Sequence, residues 1–551
     1  MTARVHGVGQ GSEHGVIEDL LADDPRVGAD ARAALLVVAA GTCSRRGASR
    51  QVLARYFAGA SRPVDRLAPL RYPRAVLDLV VMNGRVVTPA GVGQWDIGIR
   101  GEKIVAVALP QSLPVEGVRV LDAAGKIVVP GGIDPHTHLA HPIISHPDEP
   151  GLTLGPEDDT RGMAHGGTTT HIDFCYVRPG TDIPTAIEQR VVRWKGNSHV
   201  DYAFHVTLAG ALPLAVFEQI PDAIQAGFPS LKVFTTNILP PDPRRPGNRL
   251  DFGRIQLTME QAARHGAIVA VHAEDEDIVQ YNYESFRAQR RLDGTNLHLV
   301  HSKLSELLAF RRTISLARVT GAAVYFVHTS AREGVEAVTE ARGGGLPVYA
   351  ETLHQYTCFT ADHYKTPRGF CAHTYPSLKL PEDQEALWTG LVRDGVSTLA
   401  TDEYPTTLKV KLKGTTIEDM TGGNVGAEAR MGIAWSEGVV KRGMSLQRFA
   451  DITATNAARI FGLYPRKGVI APGSDADLVL IDPTVRKTLA RDDFHVADYS
   501  PWEGWTVSGW PVTTILRGKV IADHGKLLGG RADGCLIPRK IDPAVLRGPA
   551  C

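Results

Sequence analysis

The chain has 551 residues, 43% hydrophobic and 22% charged, a composition that fits a globular protein of a few domains or one large α/β barrel with additions. Lys+Arg and Asp+Glu both number 60, so no net charge recruits nucleic acid or an anionic membrane surface. The six cysteines are scattered with no CxxC spacing, as expected of reduced thiols in a cytoplasmic protein, and no apolar run approaches the ~18–20 residues of a membrane span.

Residues 1–76 begin Asp/Glu-rich and turn Ala/Arg-rich, with no sustained period. They are expected to form an N-terminal extension, partly helical or disordered. The apolar run Ala33–Ala40 is too short and too far in for an ordinary signal peptide. From Leu77 to residue 130 the texture is short β-branched runs, with hairpin turns expected at Asn83-Gly84 and at Gly101-Glu102. From 131 to 462 the pattern becomes strand, helix, strand. After a first strand leading to His136, strand-like runs start near residues 167, 200, 231, 267, 323, 346 and 397. Amphipathic stretches such as Leu257–Arg264 and Glu385–Val392 lie between them. Eight apolar strands alternating with helices argue for a closed (β/α)8 TIM barrel with its site at the C-terminal strand ends. An open doubly wound sheet is the alternative, but no Gly-rich phosphate turn follows the first strand. Short strands return over 463–530, so the economical fold is α/β: a TIM barrel with a small β-sandwich built from both flanks of the barrel. Residues 531–551 read as a C-terminal tail without visible chemistry.

Val129-Pro-Gly-Gly-Ile-Asp-Pro-His-Thr-His-Leu139 carries the first chemical signal. His136 and His138 are two positions apart, so on a strand both point to one side and can share a metal ion. His272, His328 and Asp402 end later strands, and Lys232 sits in the fourth. One histidine at a strand end is most often a hydrogen-bonded core residue. Four histidines, an aspartate and a lysine at one barrel face suit a zinc-type divalent ion with an open water position. A lysine beside cations makes sense only if neutralised or modified. Carbon dioxide adds to a neutral amine to give a carbamate, an anion able to bridge two metals, whereas the plain alternative is a snorkelling or ion-paired lysine.

Pro130–His138, Leu231-Lys-Val-Phe234, Val271-His-Ala-Glu274, Tyr349-Ala-Glu-Thr-Leu-His-Gln-Tyr356 and Gly509–Lys519 together resemble the dihydropyrimidinase/D-hydantoinase branch of the amidohydrolase superfamily, over roughly residues 77–530. Ala471-Pro-Gly-Ser-Asp-Ala-Asp-Leu478 is shared more widely across that superfamily. The resemblance implies two divalent metal ions, zinc by family habit. His136, His138, Asp402 and N6-carboxylysine at Lys232 would hold one, and the same carboxylysine with His272 and His328 the other. It also implies a metal-bridging hydroxide attacking a ring carbonyl, with Asp402 as general acid/base. A small cyclic amide is then the partner, with no nucleic acid or membrane, and the chain would form a homotetramer or homodimer.

Departures from the family pattern fall on substrate contacts. Asn237 stands where the branch usually has an oxyanion-stabilising tyrosine, and Tyr375 where it usually has a serine. Gly422 or Asn424 would supply the backbone contact from Thr421–Gly426. In the Pro/Arg-rich loop after strand four, Arg244 or Arg245 could hold an acidic substituent, although a solvated loop is the simpler reading. The expected function is a metal-dependent hydrolase opening a cyclic amide, ureide or imide ring. The alternatives are an allantoinase-like ureide hydrolase, and a non-catalytic scaffold that retains the fold.

Overall fold

A computed structural model describes residues 77–551 apart from residue 246; the expectation for residues 1–76 lies outside the described residues. Eight parallel strands form one sheet in sequential order: β1 (Gly132–Thr137), β2 (Thr168–Val177), β3 (Asp201–Leu208), β4 (Ser230–Phe234), β5 (Ile268–His272), β6 (Ala323–Phe326), β7 (Val348–Leu353) and β8 (Thr398–Ala400). Beyond the end of β8, Glu403 bridges in parallel to Thr137 of β1, and His138 N–H donates to Glu403 O at 2.6 Å. The sheet thereby curls into the expected barrel. Strands such as Ile-Val-Ala-Val-His272 are buried throughout, because helices cover the outside and polar and apolar groups fill the inside.

The covering helices follow ordinary helix chemistry. In Phe252–His265, Ile255, Thr258, Met259 and Ala262 form the buried stripe at i, i+3, i+4 and i+7. The Asp251 carboxylate accepts from Arg254 N–H at the start, and Gly266 ends the helix at φ 85°.

The flanking segments build two further sheets. A four-stranded sheet comes from residues 79–122, while a seven-stranded sheet pairs Ile127–Pro130 from before the barrel with Leu478–Thr488 from after it. Their facing residues, among them Leu79, Val81, Ile97, Val86, Val128, Leu478 and Ile515, form one apolar cluster. The Gly101-Glu102 turn joins two antiparallel strands as expected. Asn83-Gly84 does not make a hairpin. Leu79–Met82 pairs within the four-stranded sheet and Arg85–Thr88 within the seven-stranded one. The β-branched run is apolar on both sides of the turn because its halves face each other across the sandwich. Asn83, at φ 62°, donates its amide to Asp122 at 2.8 Å and redirects the chain between layers.

The 471–478 segment latches sandwich to barrel. Buried Lys467 reaches Asp477 at 2.6 Å, Asp475 at 3.1 Å and Asp201 of β3 at 2.7 Å, so the buried cation is fully answered. The C-terminal residues pack against the beginning of the barrel. Ile537, Ile541 and Val545 join Ile133, Ile172 and Ala203 in one cluster, and Tyr349 donates to Val545 O at 2.8 Å. Among the described residues no helix is long and apolar enough to cross a membrane.

Candidate metal centre

At the opposite end of the barrel, strand alternation turns His136 and His138 to the same side, their Nε2 atoms 3.2 Å apart. Phe174 of β2 lies against both rings, stacked on His138 at 4.5 Å between centroids. Asp402 Oδ1 is 3.0 Å from His136 Nε2 and 3.1 Å from His138 Nε2. These three donor atoms converge closely enough to hold one ion. His272 ends β5. His328 lies just past β6, its ring 4.5 Å from that of His272 and 5.4 Å from that of His136. Asp402 and His328 both have left-handed backbone, at φ 52° and 38°. Such conformations are costly outside glycine, and they concentrate at functional sites.

Buried carboxylates orient the imidazoles. Glu351 Oε1 lies 2.6 Å from His136 Nδ1 and accepts His328 N–H at 3.0 Å, while Tyr325 donates to its other oxygen at 2.9 Å. With Nδ1–H held by Glu351, the His136 ring in its neutral form would present its lone pair on Nε2, toward Asp402 and His138. Glu274 takes His272 Nε2 at 3.0 Å and His301 Nδ1 at 2.9 Å, which leaves His272 Nδ1 for the site. Thr374 donates to Asp402 Oδ2 at 2.8 Å, fixing the carboxylate so that Oδ1 faces the histidines. The sequence reading assigned no role to Glu351, Glu274 or Thr374. The signal for the first two was present: each carboxylate lies an even number of residues from inward-facing positions on its strand or, in His272-Ala-Glu274, from the ligand itself.

Lys232 of β4 is buried, with Nζ 5.0 Å from the Phe174 ring centroid and 4.8 Å from that of Phe234. No carboxylate among the described residues comes within ion-pair distance of it, so the ion-paired reading does not describe it. Burial pulls its amine down to about 7 despite Asp402 and Glu351. Burial, reinforced by His272 and Lys232, holds His328 well below the usual histidine range. His272 is also lowered, burial outweighing Glu274. Neutral imidazoles and an uncharged amine are the forms that bind metal and react with carbon dioxide. Burial works against charging His136, but Glu351 and Asp402 on either side carry it up to about 9. Burial opposes ionising Asp402, yet His136 and His138 hold it well below the carboxylate range. Two carboxylates thus demand a positive charge between them, which a divalent cation supplies. The donor set fits a metal.

All six residues line one cavity of about 410 Å³, ample for a small ring. Of the four candidate substrate contacts, Tyr375 and Gly422 are on its wall. The Tyr375 hydroxyl donates to Met420 O at 3.1 Å, and a Cβ at Gly422 would collide with the Tyr375 ring, so the bulky residue requires the glycine beside it. Asn237 and Asn424 are not on the wall, which corrects their expected role. The Asn237 amide donates to Glu276 at 3.0 Å and accepts from the N–H groups of Asn248 and Arg249 at 3.0 and 3.2 Å: it is a loop staple. Asn424 is buried, and its carbonyl accepts Tyr404 N–H at 3.1 Å. Arg244 is likewise taken up by Asp242 and Asp148, each at 2.6 Å, and neither it nor Arg245 lines the cavity. Two residues the sequence reading passed over do: Tyr176 and Arg178, which continue the inward-facing alternation of Phe174. Burial pushes the Tyr176 phenol up, so it stays protonated, and its hydroxyl makes no hydrogen bond among the described residues.

An amidohydrolase family model matches residues 127–521. The chain belongs to the amidohydrolase family. Within it, the chain falls in the dihydropyrimidinase/D-hydantoinase branch. It is 34% identical to the D-hydantoinase of Geobacillus stearothermophilus over 471 residues, 84% of this chain and 96% of that protein. It is 32% identical to the D-hydantoinase of Ralstonia pickettii, covering 84% and 99%. Among solved structures, the dihydropyrimidinase of Brevibacillus agri superposes with a TM-score of 0.78 at 33% identity over 84% of this chain and 98% of that one. The amidohydrolase barrel therefore extends to this chain.

Proposed function

We propose that this protein is a metal-dependent hydrolase that opens a small cyclic amide, of the hydantoin or dihydropyrimidine kind, at a ring C–N bond. The observation that carries the reading is Asp402 Oδ1 standing 3.0 and 3.1 Å from two histidine nitrogens in a cavity also lined by Lys232, His272 and His328. His136, His138, Asp402 and a carboxylated Lys232 would hold one ion, and carboxylated Lys232, His272 and His328 a second. Imidazole and carboxylate donors favour zinc. Bound there, the ions would lower the pKa of water and polarise the ring carbonyl.

The chain's own residues account for the proton. Asp402, ionised and steadied by Thr374, accepts a proton as water adds to the ring carbonyl and delivers it to the departing ring nitrogen. Tyr176, kept protonated by burial, offers its unengaged hydroxyl to the developing oxyanion, the part Asn237 cannot play. Tyr375, with Gly422 behind it, narrows the wall that a larger substituent would cross.

The test is a panel of dihydrouracil, hydantoins, allantoin and cyclic imides, with metal content measured on the same preparations. Opening of hydantoin or dihydrouracil with bound divalent ion supports the reading. A metal-free protein with full activity, or turnover of none of the rings, would overturn it. Allantoin as a substrate far better than hydantoin would select the ureide alternative, which the hydantoinase relatives do not favour.

A further inference from the structure

The inward-facing residues of β2 form a ladder from the metal centre to the cavity mouth. Phe174 lies beneath His136 and His138, Tyr176 comes next, and Arg178 follows with its guanidinium carbon 4.8 Å above the Tyr176 ring. Each second residue along a strand advances about 6.6 Å, so Arg178 stands one ring-length outward of Tyr176.

The charge around this ladder is lopsided. Arg178, Arg190, Arg193 and Lys232 all line the cavity, and among the described residues Asp402 is the single carboxylate on its wall. Arg190 is answered by buried Asp173, and Arg193 by both oxygens of Glu157 at 2.7 and 2.8 Å. Arg178 is not answered. Its Nη1 donates to Gly247 O at 3.2 Å and its Nη2 to the Asn248 side-chain oxygen at 3.1 Å, both neutral acceptors. No carboxylate among the described residues lies within ion-pair distance. Burial, partly relieved by Tyr176, pulls its pKa down, as expected of a guanidinium partly removed from water without a counter-charge. A guanidinium has five N–H donors in a planar fork matched to a carboxylate, and two neutral contacts leave that fork largely available.

We propose that Arg178 is the receptor for a carboxylate carried on an exocyclic arm of the substrate, so that the natural ring is an acid-bearing cyclic amide rather than an apolar-substituted one. This rests on the ring-opening function proposed above. With the ring at the level of Tyr176, an arm of about two carbons spans the ~6.6 Å step to Arg178. The neutral anchors Gly247 and Asn248 hold the guanidinium in place without neutralising it, which separates this arginine from its paired neighbours.

The experiment compares 5-(2-carboxyethyl)hydantoin with its primary amide, 5-(2-carbamoylethyl)hydantoin, on the metal-loaded enzyme at low ionic strength. The two differ in charge and hardly in shape. The expected result is a kcat/KM ratio of acid to amide of about tenfold or more, falling toward one in Arg178→Gln through KM for the acid, with Arg178→Lys in between. A misfolded fraction lowers both rates alike and leaves the ratio unchanged, so the ratio isolates the charge contact. A ratio near one in the parent enzyme, or one unaltered by Arg178→Gln, overturns the proposal. If the amide is opened without preference for the acid, only this inference fails; if neither these rings nor hydantoin or dihydrouracil is opened, the ring-opening reading fails with it.

Discussion

Glu351 Oε1 sits 2.6 Å from Nδ1 of His136 and accepts the backbone N–H of His328 at 3.0 Å, so one buried carboxylate sets two proposed ligands that belong to different strands. Its replacement should therefore loosen the centre without removing any ligand. Glu351→Gln is expected to weaken metal binding about 10–100-fold, measured by competition with a chromophoric chelator. Unaltered affinity would mean the carboxylate does no more than fill space.

Asp402 has two jobs in the proposed mechanism, one toward metal and one toward the proton. Asp402→Asn keeps the shape and the Thr374 contact but cannot take up a proton. A fall in kcat of about 10²–10⁴-fold is expected. Substrate affinity, measured by equilibrium binding to the inactive variant, should change far less. Activity near that of the parent would remove Asp402 from the proton path.

Tyr176→Phe deletes only a hydroxyl on the cavity wall. If that hydroxyl meets the oxyanion, kcat should drop about 10²-fold with KM little changed, since the hydrogen bond strengthens only as charge develops. An increase in KM alone would instead make Tyr176 a ground-state contact.

Much of this was legible in the chain. The strand-like runs near 167, 200, 231 and 267 correspond to β2–β5 because parallel strands buried on both faces are written as unbroken apolar runs. His136 and His138 announced themselves through a two-residue period. What stayed hidden depended on where loops return. Asn237 looked like a substrate contact by position, but whether its amide faces the ring or Glu276 is decided by the 247–249 backbone folding over it. Tyr176 and Arg178 were overlooked because an aromatic and a cation at a strand end have no motif of their own. Asn83-Gly84 carried a true turn signal, yet local chemistry cannot say whether the following strand returns to the same sheet or crosses to its neighbour.

The proposed carboxylation of Lys232 has a direct consequence for reconstitution. Protein stripped of metal by a chelator and kept free of carbon dioxide should recover both ions only when bicarbonate accompanies the metal. Intact mass measured under non-acidic conditions should then show one added carbon dioxide. Lys232→Ala should lose the second ion whether or not bicarbonate is present. Full metal occupancy in Lys232→Ala would show that the lysine is a wall residue and not a bridge.

Glu306 gives a stability prediction away from the centre. It is buried, accepts the N–H groups of Ser330 and Ala331 at 3.1 and 3.0 Å, and pairs with the Ser330 hydroxyl. Burial outweighs Lys379 and these bonds and raises its pKa from 4.5 to about 7. Between those values the folded protein keeps a proton that the unfolded chain has released, so stability falls as pH rises through the window. The loss levels off above pH 7, at a magnitude on the order of 3 kcal/mol. Glu306→Gln preserves the acceptor for both N–H groups, offers an N–H to Ser330, and cannot ionise. Thermal unfolding of the variant should lose this component of the decline between pH 4.5 and 7, and at pH 8 the variant should melt higher than the parent. An equal decline in both proteins would show that Glu306 remains ionised in the folded state.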